Sequence, residues 1–491
     1  MSEHHYAAVD LGSNSFHLLV AEWRDGRLEV VDRYKEMVQI ARGLDGHGKL
    51  SKDTQTAALD VLARMGQRLR DIPAHHIRAV GTKTLRAARN SDKFLRKAQA
   101  ALGHPIHIIS GFEEARLVYQ GVCSTLERNN QKRLVIDIGG ASTEFIIGQG
   151  DTPRLLESLN LGCVVLAERF FKYGPVTERA MQSAYTAACA IIEPIARAYR
   201  AEGWELAIGT SGTMRAAAEL MDAKNKGLIS RESLTRVVEQ TIADGEVLHA
   251  SVPKLRRDVL PAGLAIISAI FDQLKLTELH VADAALKEGL IQELLGQGAA
   301  TDTRDTSVMH LAERYGCDLQ QGQRVAGVAS QLINQIPLPP VNGIPPAQFM
   351  HWAGILHEIG LHISHSGYHK HGHYLLKHHD MGGFSRFEQH WLASLVRMQR
   401  NNIKQALIIE QSQSLQPVLL CMVAVFRLAL IFCRARKDPD IIPQLAMQSA
   451  GDLMQLRLIL PDQWLDNHPL TALNLQQEAD LLAEAGLTLT F

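Results

Sequence analysis

The chain carries no surplus of either charge. Its 491 residues hold 51 Lys and Arg against 52 Asp and Glu, a net charge of −1 with neutral histidines. A general nucleic-acid-binding surface would show as a basic excess, so none is expected, although a local basic groove is compatible with the balance. Cysteine is scarce: Cys123, Cys163, Cys189, Cys317, Cys421 and Cys433 are scattered without a C-x-x-C pair. That argues against a disulfide framework or zinc knuckle and fits buried thiols in a reducing cytoplasm. No apolar run can span a bilayer, since the longest, 418–426, ends at Arg427. The opening residues, MSEHHYAAVDLGSNS, lack the basic segment and apolar stretch of a secretory signal. What remains is ordinary. Apolar residues are 46% and charged residues 21%, and at roughly 150 residues per domain the length suggests about three domains. A cytoplasmic, multidomain globular protein is expected.

The first 300 residues alternate β-branched runs with helical spacing, which predicts α/β architecture. Strands are expected at 7–10, 17–22, 77–81, 106–109, 134–137, 144–148, 206–208 and 278–281, with helices over 54–69 and 84–102. Polar stretches at 125–133 and 299–307 divide the chain into 1–125, 126–300 and 301–491. In the last block strands fade, apart from a small element near 457–460 and 487–491, and helical patterns dominate. Five of the 17 prolines fall in 337–346, a loop between helices. One internal repeat stands out: Asp10-Leu-Gly-Ser-Asn-Ser15 and Asp137-Ile-Gly-Gly-Ala-Ser142 each follow an apolar strand, 127 positions apart.

These turns suit phosphate. Gly12, Gly139 and Gly140 permit close approach of backbone N–H groups, and Ser13, Asn14, Ser15 and Ser142 add polar donors. Asp10 and Asp137 would repel phosphate directly but become sensible with Mg²⁺ between protein and ligand. Ordinary hairpin turns are the plainer alternative for either loop alone. Further on, Ser110 and Glu113 have capping-box spacing, which gives Glu113 a structural task. Glu114 has none beyond favourable placement at a helix N-terminus; its alternative is a carboxylate that orients or deprotonates a water. Arg86 either balances phosphate charge or lies on a solvated helix face. Arg42, after a predicted hairpin, could also reach a cleft.

Two such loops facing one another resemble the actin-like phosphotransferase fold. In that light Ile208-Gly-Thr-Ser-Gly-Thr213 looks like its Gly-rich turn, with Gly209, Ser211 and Gly212 near phosphate, and Ala282 to Gly289 looks like its late connecting helix. The resemblance becomes specific in residues 10–17 (DLGSNSFH), 109–117 (ISGFEEARL) and 137–144 (DIGGASTE), together with Thr84-Leu-Arg86, Asn90 and 356–360 (LHEIG). These resemble the exopolyphosphatase/guanosine pentaphosphate phosphohydrolase (Ppx/GppA) family over nearly the whole length. The resemblance implies two actin-like (ribonuclease H-like) α/β domains followed by a mainly helical, HD-like C-terminal region. It also implies a catalytic Glu114, a phosphate and metal motif at Asp137, Gly139, Ser142 and Glu144, Mg²⁺ held by Asp10, Asp137 and Glu144, and a homodimer. Ala141 departs from the Gly-Gly-Gly-Ser form, a change the backbone tolerates.

Two substrates fit such a site: inorganic polyphosphate and the 5′ end of guanosine pentaphosphate (pppGpp). Residues 365–371 and 394–397 look more like the exopolyphosphatase branch. The compact length, the Gly-Gly-Ala-Ser turn and residues 460–464 look more like the guanosine branch. The sequence leans slightly towards polyphosphate, and one enzyme could do both. An acceptor kinase and a non-catalytic alarmone- or polyphosphate-binding protein are the readings from other classes.

Nine of the 22 histidines fall in 351–379. His365, His369 and His373 would share a face if one helix ran through them, but Gly367 and Gly372 weaken it. Glu358 replaces the aspartate of an HD pair, and the segment at Gln323 lacks the first HD histidine. A degenerate HD-like region without a working metal centre is expected. Lys370, Lys377, Arg434, Arg436 and Lys437 are either a polyanion groove or solvated surface charge.

Overall fold

The protein is described here by a computed structural model, in which residues 5–24, 27–127, 129–221, 227–249, 252, 254–296, 302–450 and 453–491 are described. Arg128 and residues 299–301, in the two expected polar separators, lie outside them. The chain divides into two compact units, Met1–Ala300 and Thr301–Phe491.

The first unit holds two sheets built on one plan. In the first lobe β1 (His5–Leu11), β2 (Phe16–Arg24), β3 (Arg27–Glu36), β4 (Ile77–Gly81) and β5 (Ile106–Ile108) lie in the order β3-β2-β1-β4-β5. The second lobe contains β6 (Lys132–Ile138), β7 (Thr143–Gln149), β8 (Thr152–Leu159), β9 (Leu206–Thr210), β10 (Leu228–Ser230) and β11 (Glu278–Val281), ordered β10-β11-β9-β6-β7-β8. In each lobe two hairpins are followed by parallel strands, β4 beside β1 and β9 beside β6. The register repeats as well. Asp10 faces His17 and Lys35 across β1, β2 and β3; Asp137 faces Glu144 and Ser158 across β6, β7 and β8. Directly opposed residues share a face, so each lobe carries one row of three side chains.

All eight expected strands of this unit are present. The sequence missed β3, β8 and β10, each at a sheet edge. β3 reads RLEVVDRYKE and β8 contains Pro153; charge and proline are common devices on edge strands and hide them from a search for apolar runs. The helix expected over 84–102 is two helices, Lys83–Ala87 and Ser91–Leu102. Asn90 explains the break: its side chain accepts from Leu50 N at 2.8 Å and donates to Leu50 O at 3.0 Å, which ties the chain to a distant loop.

The lobes are joined by exchanged helices. Helix Gly111–Cys123 follows β5 but packs on β7 and β8; helix Leu286–Gly296 follows β11 but packs on β1 and β2. Val118, Val122, Leu290 and Ile291 bury their side chains between the sheets with Ala8, Leu19, Val135 and Ile146. The two helices cross at glycine. A methyl group on Gly289 would lie 2.0 Å from the Leu117 carbonyl oxygen, and one on Gly121 would lie 2.1 Å from that of Ala285. Beside the crossing, Arg116 bonds Glu113 at 2.7 Å and Glu293 at 2.7 Å.

The second unit is mainly helical, with a three-stranded sheet of β12 (Gln444–Ala450), β13 (Leu453–Ile459) and β14 (Leu487–Thr490) in the order β12-β13-β14. The apolar run 418–426 lies in helix Gln416–Phe432, in the middle of this unit's core. Arg427 remains inside because Glu478 and the Met398 carbonyl, at 2.6 Å, take up its guanidinium. Among the described residues no helix is long and apolar enough to cross a membrane.

The histidine spacing does not form a single stripe. Helix Tyr368–His378 begins after Gly367, whose φ of 71° ends any continuation from His365. His369 is buried, and His373 bonds the Ala393 carbonyl through Nδ1 at 3.1 Å. His357 is buried with Nδ1 on Gly354 O at 2.7 Å. Of the suggested polyanion groove, Arg436 pairs with Asp318 at 2.8 Å and with Glu358, and Arg434 donates to Asn474 at 2.6 Å. Those two cations already have protein partners.

Candidate active site

The repeated turns meet at an open cleft in the first unit, with about 820 Å³ of empty space. Both have the same shape. A methyl group on Gly12 would sit 2.9 Å from Ser15 O, and one on Gly139 would sit 3.0 Å from Ser142 O. The loops also touch: a methyl group on Gly140 would meet Asn14 N at 3.0 Å. Their carbonyls are held by other segments of the chain. Ser13 O and Asn14 O accept from Ala41 and Gln39 N–H groups at 3.0 and 2.8 Å; Gly139 O and Gly140 O accept from Cys163 and Val164 at 3.0 and 2.9 Å. A turn fixed by its carbonyls in this way presents its remaining N–H groups as an anion nest. Thr84 donates to Ser13 Oγ at 2.7 Å and stiffens the first loop further.

Asp10, Asp137, Glu114 and Glu144 converge on this cleft. Burial lifts all four carboxyls, and mutual repulsion adds to it in three of them. Asp10 rises to about 8, with Glu114 adding to the burial effect; Asp137 rises to about 6 from burial, opposed by Lys287 and Arg215. Glu114 rises to about 7 through burial, held back by Arg86. Glu144 is pushed well up by burial and by Glu114. Glu114 lies in the first turn of helix Gly111–Cys123, where Ser110 accepts from Glu113 N at 3.1 Å as the N-cap. The Glu113 carboxylate pairs with Arg116, leaving Glu114 to face the cleft.

The donor set fits a divalent cation, but not as a closed cage. Asp10 Oδ1 and Asn14 Oδ1 are buried without hydrogen-bond partners, and four carboxyls with raised pKa values share one space. Yet among the described residues no three His, Cys, Asp or Glu side chains are disposed to hold one ion. Asp10, Asp137 and Glu144 therefore do not come together as a direct three-ligand set. One or two of these carboxylates, with waters and substrate oxygens, is the arrangement that suits Mg²⁺.

Of the other residues singled out, Gly12, Ser13, Asn14, Ser15, Gly139, Gly140, Ser142, Ser211 and Gly212 line the cleft. Ser211 has a φ of 111° and its Oγ accepts from Thr213 and Met214 N at 3.1 and 3.2 Å, opening helix Gly212–Met221. Gly209 and Arg86 are not in the lining. Gly209 packs under Leu279 and Met214. Arg86 donates to Ile109 O at 2.6 Å and stands 3.5 Å from Glu114 Oε2, behind the carboxylate. Arg42 pairs with Glu168 at 2.9 Å, away from the lining.

Sequence reasoning missed the cations. Lys35, Arg215, Arg256 and Lys287 all reach the cleft, as does His17. Arg215 pairs with Asp283 at 3.2 Å and Lys287 with Glu288 at 3.1 Å; among the described residues no carboxylate pairs with Lys35 or Arg256. Burial and the three neighbouring cations lower Lys35 to about 8, and burial with Lys287 and Lys35 keeps His17 neutral. Lys35, Arg215 and Arg256 come from three separate segments outside the motifs, and Lys287, though within 282–289, is not read there as a cleft cation.

A duplicated strand-turn-strand holding glycine loops, acids and cations in one cleft defines an actin-like phosphate-handling protein. Comparison with known proteins is more specific. The model of the Ppx/GppA phosphatase family matches residues 19–297, and that of Ppx/GppA phosphatase, domain III, matches 303–479. The chain belongs to the Ppx/GppA phosphatase family, hydrolases that act on phosphoanhydrides. It is 38% identical over 489 residues to the guanosine-5′-triphosphate,3′-diphosphate pyrophosphatase of Vibrio vulnificus, covering 98% of this chain and 97% of that one. The protein of the same name from Pseudoalteromonas translucida is 38% identical over 490 residues, with the same coverage. Among solved structures, an exopolyphosphatase from Cytophaga hutchinsonii superposes with a TM-score of 0.54 at 24% identity, covering 60% of this chain and 98% of that chain. The Aquifex aeolicus family member gives 0.51 at 23% identity, covering 60% and 99%. These two share the fold over that part of the chain.

Proposed function

We propose that the protein hydrolyses the 5′-terminal phosphoanhydride of guanosine 5′-triphosphate,3′-diphosphate, releasing phosphate and leaving the 5′-diphosphate. The observation that carries this choice is full-length similarity, at 38% identity, to proteins named for that substrate. It outweighs the short C-terminal motifs that lean towards polyphosphate, and polyphosphate becomes the second substrate to test.

Glu114 holds a water beside the terminal phosphorus and takes its proton as the water oxygen bonds to phosphorus and the bridging P–O bond breaks. Arg86 holds Glu114 from behind and keeps part of its population ionised near neutral pH. The two glycine loops fix the phosphate chain, and their preorganised donors stabilise charge as it shifts to the leaving phosphate. Lys35, Arg215, Arg256 and Lys287 neutralise the rest of the anion. Asp10 and Asp137 would hold Mg²⁺ together with waters, and the cation would add to the neutralisation of the leaving group. A cytoplasmic homodimer is part of the same proposal.

The test is phosphate release from pppGpp and from long-chain polyphosphate, with Mg²⁺ and with EDTA. Wild type is expected to favour pppGpp in kcat/KM, and Glu114→Gln to lose about 10²–10⁴-fold in kcat while still binding substrate. If neither substrate is cleaved, or Glu114→Gln matches wild type, the mechanism is wrong. Transfer to an acceptor, or tight binding without turnover, would put a kinase or a binding protein in its place.

A further inference from the structure

Ser158 does not line the cleft, yet it touches a carboxylate that does and the helix that carries another. In the β7–β8 pairing it stands directly opposite Glu144, and its Oγ donates to Glu144 Oε1 at 2.8 Å. On its other side lies Gly111, the first residue of the helix that carries Glu114. A methyl group on Gly111 would sit 2.6 Å from Ser158 Cβ, 2.7 Å from its Oγ and 3.5 Å from Arg86 Nη2. Ser158 thus borders the start of the Glu114 helix while bonding Glu144 on the neighbouring strand.

We infer that Ser158 is a positioning residue for the hydrolysis proposed above, fixing Glu144 against the seat of the Glu114 helix. Glu144 is 1% exposed and lies beside Asp137, so its neighbours repel it. A buried carboxyl is costly unless donors satisfy it, and the hydroxyls of Ser158 and Ser142 are the donors that Glu144 has. Serine is suited to the place. It is small enough to lie on Gly111, whose missing side chain leaves the space, and its hydroxyl reaches across the strand pair. A displacement of about 1 Å at such a site can cost on the order of 10²-fold in rate.

The experiment uses the full chain with Mg²⁺ and both pppGpp and polyphosphate. Ser158→Ala is expected to lower kcat about tenfold, with KM and Tm close to wild type. Ser158→Cys, similar in volume and a weaker donor, falls between and keeps the test open if the alanine variant folds poorly. The readout that a merely structural role would not move is coupling: in a Glu144→Gln background the further loss from Ser158→Ala is expected to shrink to less than about twofold. Wild-type kcat in Ser158→Ala, or losses that multiply fully with Glu144→Gln, overturns the assignment alone. If wild type releases phosphate from neither substrate, the functional reading falls and this assignment with it.

Discussion

Glu113 and Glu114 are adjacent, buried and differently employed. Glu113 is committed to Arg116 and the interlobe ion pairs, whereas Glu114 turns into the cleft with Arg86 behind it. The Arg86 guanidinium works against the burial that raises Glu114, so its removal should raise Glu114 further. Arg86→Gln is therefore expected to move the acid limb of the kcat–pH profile to higher pH and to lower kcat at neutral pH. An unchanged limb, read from initial rates across the pH range, would show that Arg86 does not tune this carboxylate. The sequence separated the two glutamates by helix position and by the family resemblance. It could not place Arg86 beside Glu114, because the carbonyl that holds its guanidinium belongs to Ile109 on another segment.

At the scale of elements, the helix crossing at Gly121 and Gly289 holds the Glu114 helix where the two sheets meet. The atom a new methyl group would strike on Gly289→Ala is a backbone carbonyl, which cannot rotate away. Gly289→Ala should cost about 1–3 kcal/mol in an unfolding titration, and should lower kcat as well because the displaced partner carries Glu114. A variant as stable as wild type would mean that the crossing relaxes freely. The sequence revealed the strands that carry β-branched runs, and with them the duplicated turns, since position within a buried strand leaves a strong local signal. Edge strands, the break at Asn90 and the four cleft cations depend on distant partners, and an isolated lysine or arginine reads the same whether it meets solvent or an anion.

For the molecule as a whole, the four raised carboxyls couple stability to pH. Between about pH 4 and pH 8 the folded state retains protons that the unfolded chain has released, so stability present at low pH is lost as pH rises through that window. In the function proposed above, a divalent cation would replace those protons. Mg²⁺ should therefore raise Tm by more near pH 8 than near pH 5.5, where 1 kcal/mol corresponds to roughly 2–4 °C for domains of 150–250 residues. Equal gains at both pH values in differential scanning fluorimetry would remove the cation from this account.

The two strand rows have a last consequence. One lobe runs Asp10, His17, Lys35 and the other Asp137, Glu144, Ser158. The repeat is symmetric in backbone and asymmetric in charge. A chain of phosphates is nearly the same read forwards or backwards, but between these rows it would have one comfortable heading, with its body by the lysine and its tip by the glutamates. The bias would follow from one strand pattern used twice, bringing an ammonium to the cleft on one side and a glutamate on the other, and would make the cleft vectorial, taking a phosphate chain tip first.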